Sequence, residues 1–132
     1  MQYQSNLNEQ QLIDLAVNQY FGNVDKKDLE AVLNCFHDNA MLTVQTAFTQ
    51  HEGKQNIGRM FKDFFDSYDV IVHRDFTYTV DETNGRIVAS FIAELKDSEG
   101  NMSYLHNTNF WRIRDNKFQE VYVYMSGENP LV

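Results

Sequence analysis

An α+β fold, helices first and an antiparallel sheet after them, is predicted by three features of the 132-residue chain. Apolar residues recur at helical spacing through the first half. From Val70 onward the period drops to two. Short turn signals then divide the second half into four long strand-like runs. The length suits one domain, residues 1–132, with one moderate core.

Each element has its own warrant. Asn8 followed by Gln11 has the form of a capping box. Leu12, Ile13, Ala16, Val17, Tyr20 and Phe21 follow at helical spacing, and Gly22 offers a stop. Asp25 is placed to cap a second helix, with Leu29, Val32, Leu33 and Phe36 along one stripe. Met41 to Thr46 reads as a short strand. Gly53 opens a third helix whose broad apolar face carries Ile57, Met60, Phe61, Phe64, Phe65 and Tyr68. Strands are predicted over residues 70–80, 86–96, 102–114 and 117–125. The turns between them are DETNGR with its Asn84-Gly85 pair, DSEGN around Gly100, and RDNK. The result is a four-stranded meander preceded by three helices and a short strand.

The run LHNTNFWRI, residues 105–113, points beyond the fold. Alternation puts Leu105, Asn107, Asn109, Trp111 and Ile113 on one face. His106, Thr108, Phe110 and Arg112 take the other. A buried amide without a partner is costly, so two amides beside Trp and Leu imply something that satisfies them.

Composition excludes several classes. Acidic residues outnumber basic ones 19 to 11, net charge −8, with no polybasic run, so neither nucleic acid nor an anionic membrane is an expected partner. MQYQSNLNEQQ lacks the basic and apolar regions of a signal peptide, and no apolar run reaches membrane-spanning length, so the expected compartment is the cytoplasm. The single Cys, Cys35, sits among Leu33 and Phe36 and reads as a buried, inert thiol. No spacing of His and carboxylates suits a metal, and there is no Gly-rich phosphate loop, so neither metal nor cofactor is expected. His37 and His51 read as loop residues.

The segment QYFGNVDKKDLEAVLNCFHDNA, residues 19–40, supplies Asp28, Leu29, Glu30, Ala31, Phe36, Asp38 and Ala40 in a recognisable pattern. GKQNIGRMFKDFF, residues 53–65, follows it with a glycine and a helix. In these segments, and in element order over nearly the whole chain, the protein resembles the nuclear transport factor 2-like superfamily, whose members include ketosteroid isomerase, scytalone dehydratase and SnoaL-like polyketide cyclases. The resemblance implies a cone-shaped curved sheet wrapped around three helices, with a conical pocket inside. A fold of this kind does not by itself fix a function.

Residue by residue, the ketosteroid isomerase branch implies an oxyanion-stabilising role for Tyr20. It puts Asn109 where that branch has a protonated Asp. An amide donates a hydrogen bond without having to be held neutral. The branch's general base falls on Val44, flanked by Thr43 and Gln45, none of which takes a proton from carbon near neutral pH. Two supporting Tyr positions fall on Phe36 and Phe61. Steroid isomerisation is therefore not expected. The scytalone dehydratase branch implies a catalytic His on the strand after the third helix, here His73, with Asp75 on the same strand face to orient it. His106, on the face opposite Asn109, is not assigned such a role.

These resemblances imply a pocket lined by Phe36, Val44, Phe61, Phe65, Asn107, Trp111, Val121 and Met125, with Tyr20, Asn109 and His73 as its chemical groups. The expected ligand is a small apolar oxygenated molecule, and the expected chemistry is cofactor-free isomerisation, cyclisation or dehydration. The alternative is a non-catalytic binding or interaction protein that lacks the family's base. His106, Phe110, Tyr122 and Tyr124 on the outer sheet face imply a homodimer interface.

Overall fold

The computed structural model describes residues 3–132. Asn8 caps the first helix as a full capping box: its side chain accepts from the Gln11 N–H, and the Gln11 side chain accepts from the Asn8 N–H. Helix α1 (Glu9–Ile13) passes without a break into a π-helical segment (Asp14–Phe21) and then into α2 (Gly22–Asp25). The wider π turn stacks residues five apart. Leu15 therefore lies with Tyr20, and Ala16 with Phe21, and all four are buried.

Gly22 does not stop this helix. Its backbone is right-handed helical, φ −57° and ψ −38°, and its N–H bonds back to the Val17 carbonyl. The rod runs on to Asp25. Helix α3 (Leu29–Leu33) is capped instead by Asp28, which accepts from the Ala31 N–H. Phe36 does not extend the helical stripe but begins strand β1 (Phe36–Val44). That strand starts five residues before the predicted one, so His37 lies on it and bonds the Arg114 carbonyl. A 3-10 turn (Gln45–Ala47) leads to β2 (Thr49–Glu52), which carries His51 and which sequence periodicity missed because it is only four residues long.

Helix α4 (Gly53–Ser67) buries Ile57, Met60, Phe61, Phe64 and Phe65. Tyr68 begins β3 (Tyr68–Asp81) rather than ending the helix. Strands β4 (Arg86–Asp97), β5 (Met102–Arg114) and β6 (Lys117–Tyr124) complete the meander close to the predicted bounds. The Asn84-Gly85 turn admits only glycine at its second position. Gly85 has φ +62°, and a Cβ there would sit 2.6 Å from that of Ser5 and 2.9 Å from the Ile113 carbonyl oxygen.

The strands form one six-stranded curved sheet in the order β2-β1-β6-β5-β4-β3, in which β1 and β6 run parallel and the other described strand pairs antiparallel. The helices cover its inner face, and one apolar core lies between. The whole expected inner row of β5, from Leu105 to Ile113, is buried. A bulge interrupts β3: Arg74 pairs with Ile92 and Thr77 with Ser90, so Asp75 and Phe76 together oppose Phe91. Asp75 takes the left-handed conformation, φ +59°. The extra residue breaks the alternation that would have put Asp75 on the His73 face.

The β4–β5 turn is tied by Asp97. Its carboxylate accepts from the backbone N–H groups of Asn101 and Glu99, both at 2.9 Å. The Asn101 backbone bond, first among several, holds its carboxyl below the usual range. A depressed folded pKa stabilises above the unfolded value and is lost as pH falls through the folded one. Asp97→Ala should lower the Tm at pH 7, and the difference from wild type should shrink below about pH 4. Thermal melts across that range check it.

Candidate functional site

The polar residues of the inner face gather at one cavity between the helical rod, α4 and the sheet. Tyr20, His73, Asn107 and Asn109 all line it, among Phe21, Phe61, Phe64, Phe91, Leu105 and Met125. The space between these side chains, counted out into the open mouth, is about 400 Å³, and little of it is wider than a water molecule. That is room for a few heavy atoms as the walls stand. Met125, Pro130 and Leu131 line it from the coil that follows β6. The His51 ring holds this segment through the Leu131 carbonyl at 3.0 Å.

His73 is held by Asp25, not by Asp75. The Asp25 carboxylate reaches it twice: one oxygen lies 2.6 Å from Nδ1, the other accepts from the His73 backbone N–H at 2.9 Å. A carboxylate only accepts, so Nδ1 carries the proton, and in the neutral ring Nε2 is left with its lone pair. The His73 side chain is 8% exposed and stacks on Phe21, ring centroids 4.3 Å apart and 23° from parallel. Phe91 closes on it at 5.5 Å. The helix that continues through Gly22 is what delivers Asp25 to this point. Asp75 is occupied with Arg74.

Asn107 and Asn109 are 6% and 2% exposed. Their cross-strand neighbours are Phe91 for Asn107, and Ala89 and Val123 for Asn109, none with a side chain that hydrogen-bonds. Both Oδ1 atoms are sealed from solvent without a partner. Trp111, two residues further along, likewise keeps an unpartnered indole N–H.

Tyr20 lies in an aromatic cage of Phe21, Phe36, Phe61, Trp111 and Phe118, with centroids 4.7 to 6.1 Å away. Burial, with a smaller contribution from Cys35, pushes its phenol far above the ordinary value. It is therefore a neutral donor and never a base near neutral pH. Burial also raises the Cys35 thiol, to about 12, so it holds its proton.

Of the residues expected to bind ligand, Phe61, Asn107 and Met125 line the cavity. Phe36, Val44, Phe65, Trp111 and Val121 are buried in the packed core outside the lining. Sequence reasoning missed Asp25, because Gly22 reads as a stop, and missed Leu131, because a terminal coil carries no periodic signal. On the outer face His106 and Tyr124 are exposed, and Phe110 and Tyr122 are half-buried and edge to face. No helix of the described residues is long and apolar enough to cross a membrane.

The SnoaL-like domain family matches residues 17–121. The chain belongs to that family. Solved structures share its fold. A candidate polyketide cyclase from Xanthomonas campestris pv. campestris superposes with a TM-score of 0.79 at 20% identity, covering 89% of this chain and 92% of its own. AusH from Aspergillus nidulans superposes with a TM-score of 0.79 at 14% identity, covering 92% and 88%. A candidate isomerase from Bacillus subtilis gives 0.77 at 16% identity, covering 91% and 90%. The sequence matches no curated relative. At such identities these likenesses speak for the SnoaL-like fold and not for a shared substrate.

An unpartnered buried amide destabilises the SnoaL-like domain at rest. Asn109→Leu, nearly equal in volume, removes it and should stabilise the protein by about 1 kcal/mol. Denaturant unfolding measures this, and a loss of stability would mean that the amide has a partner.

Proposed function

We propose that the protein moves a proton at carbon on a small carbonyl compound without a cofactor, as in isomerisation, cyclisation or dehydration. The observation that carries this reading is the Asp25–His73 pair at the wall of a cavity that also presents Tyr20, Asn107 and Asn109. His73 Nε2 takes the proton from the carbon next to the carbonyl. Asp25 fixes the ring and stabilises the imidazolium that forms. The carbonyl oxygen gains negative charge and is met by amide N–H and phenol O–H donors in a water-poor site. Returning the proton to a different carbon completes an isomerisation. Expelling a β-hydroxyl, protonated by the imidazolium, completes a dehydration. The valine at position 44 is then no obstacle, because the base comes from β3 instead of β1. A positioned base of this kind contributes about 10²- to 10⁴-fold.

Deuterium exchange at the α-carbons of cyclohexanone in D2O, followed by NMR, tests the reading without knowledge of the natural substrate. Wild type should exceed buffer, His73→Gln should lose about 100-fold or more, and Asp25→Asn should lose at least tenfold. A wild-type rate equal to buffer, or one that His73→Gln leaves unchanged, sinks catalysis and leaves the small-molecule-binding reading.

The outer face of the sheet supports a homodimer as part of this proposal. Tyr124 is 46% exposed near the half-buried Phe110 and Tyr122, and Tyr104, 54% exposed, lies further along the same face of β5. Sedimentation should give a dimer for wild type and a monomer for a Tyr104→Lys, Tyr124→Lys double variant. A monomeric wild type at micromolar concentration contradicts it.

A further inference from the structure

We infer that the ligand is a neutral six-membered ring, or a chain of that size, carrying two hydrogen-bond-accepting oxygens on non-adjacent carbons. The inference rests on the proton-transfer reading for the role of His73 and adds the class of molecule. Four observations carry it. First, the cavity lining includes no Lys, Arg, Asp or Glu, and its one titratable group near neutral pH, the His73 ring, is already matched by Asp25, so the site suits a neutral molecule. Second, the free space is small and walled by Phe21, Phe61 and Phe91, so one ring, seated with some movement of those side chains, is the upper size and a fused system is excluded.

Third, there are two amides, not one, and both are frustrated. Each has an apolar cross-strand neighbour and lines the cavity, and it is the NH2 group, not the sealed oxygen, that an accepting ligand would meet. Their two-residue spacing on one strand face separates their Cα atoms by about 7 Å. Two acceptors on non-adjacent ring carbons span that gap better than two on neighbouring carbons. Fourth, His73 sits on β3, two strands from the amides on β5, with its cross-strand partner Ala93 paired in turn with Leu105. Two strand spacings are about 10 Å across the sheet, and Asn107, two residues along from Leu105, is the nearer amide, its Cα about 12 Å from that of His73 before the reach of both side chains. One ring therefore fits with a carbonyl oxygen at an amide and its α-carbon toward Nε2. One oxygen would take the developing charge. The other would fix the ring's orientation so that only one α-carbon meets the base.

The test is binding of three ring compounds by titration calorimetry: cyclohexane-1,4-dione, cyclohexanone and trans-cyclohexane-1,4-diol. The dione should bind about tenfold tighter than the monoketone, the effect of one extra neutral hydrogen bond. Asn107→Leu and Asn109→Leu should each erase that preference, because one remaining amide serves both ketones alike. His73→Gln should keep the preference while losing deuterium exchange. Equal affinity of dione and monoketone, or no binding of the dione up to about 10 mM, overturns the inference. So does a diol that binds tighter than the dione, since the amides would then present their oxygens. Exchange without a dione preference defeats this inference alone. A dione preference without exchange defeats only the proton-transfer reading.

Discussion

The carboxylate of Asp25 binds one residue of the sheet by two atoms, and the site is organised around that contact. By accepting from the His73 backbone N–H it ties the end of the helical rod to β3. By accepting from the ring it sets which nitrogen faces the cavity. A surface ion pair would contribute little to stability. This pair is different in kind, because the His73 side chain is nearly buried and sandwiched by aromatic rings. Losing the carboxylate would free the ring to turn and leave a backbone donor without its acceptor.

Two departures from regular structure make the contact possible. The π segment sets Tyr20 and Phe21 on the inner face five residues on from Leu15 and Ala16, and all four are buried. Phe21 then supplies the flat surface on which His73 lies. The bulge at Asp75 and Phe76 brings Phe76 onto the inner aromatic cluster, against Phe21 and Phe91, and sends Asp75 to Arg74. Regular secondary structure provides the core, and the irregular stretches aim the polar groups. The amides belong to the same logic. A core built only for stability would hold leucines at positions 107 and 109.

The architecture was legible because its signals are long. The four strands of the meander and a fifteen-residue amphipathic helix each carry several periods. Tyr20, His73, Asn107 and Asn109 were also legible as a set, through the alternation along β5 and the family resemblance, and they share one cavity. Asp25 was not. A glycine in the right-handed helical conformation looks, in sequence, the same as a glycine that ends a helix. A bulge is equally silent, so Asp75 seemed to share the face of His73. The packed positions of Phe36, Val44, Phe65, Trp111 and Val121 reflect depth, which alternation cannot give: an inward residue lies either in the core or at a cavity wall.

The central claim is that Asp25 fixes the His73 tautomer. Nitrogen-15 NMR of the ring in its neutral form measures this directly. The account predicts a proton on Nδ1 and a lone pair on Nε2, with the balance shifted in Asp25→Asn. A neutral ring protonated on Nε2, unchanged by that substitution, would contradict it.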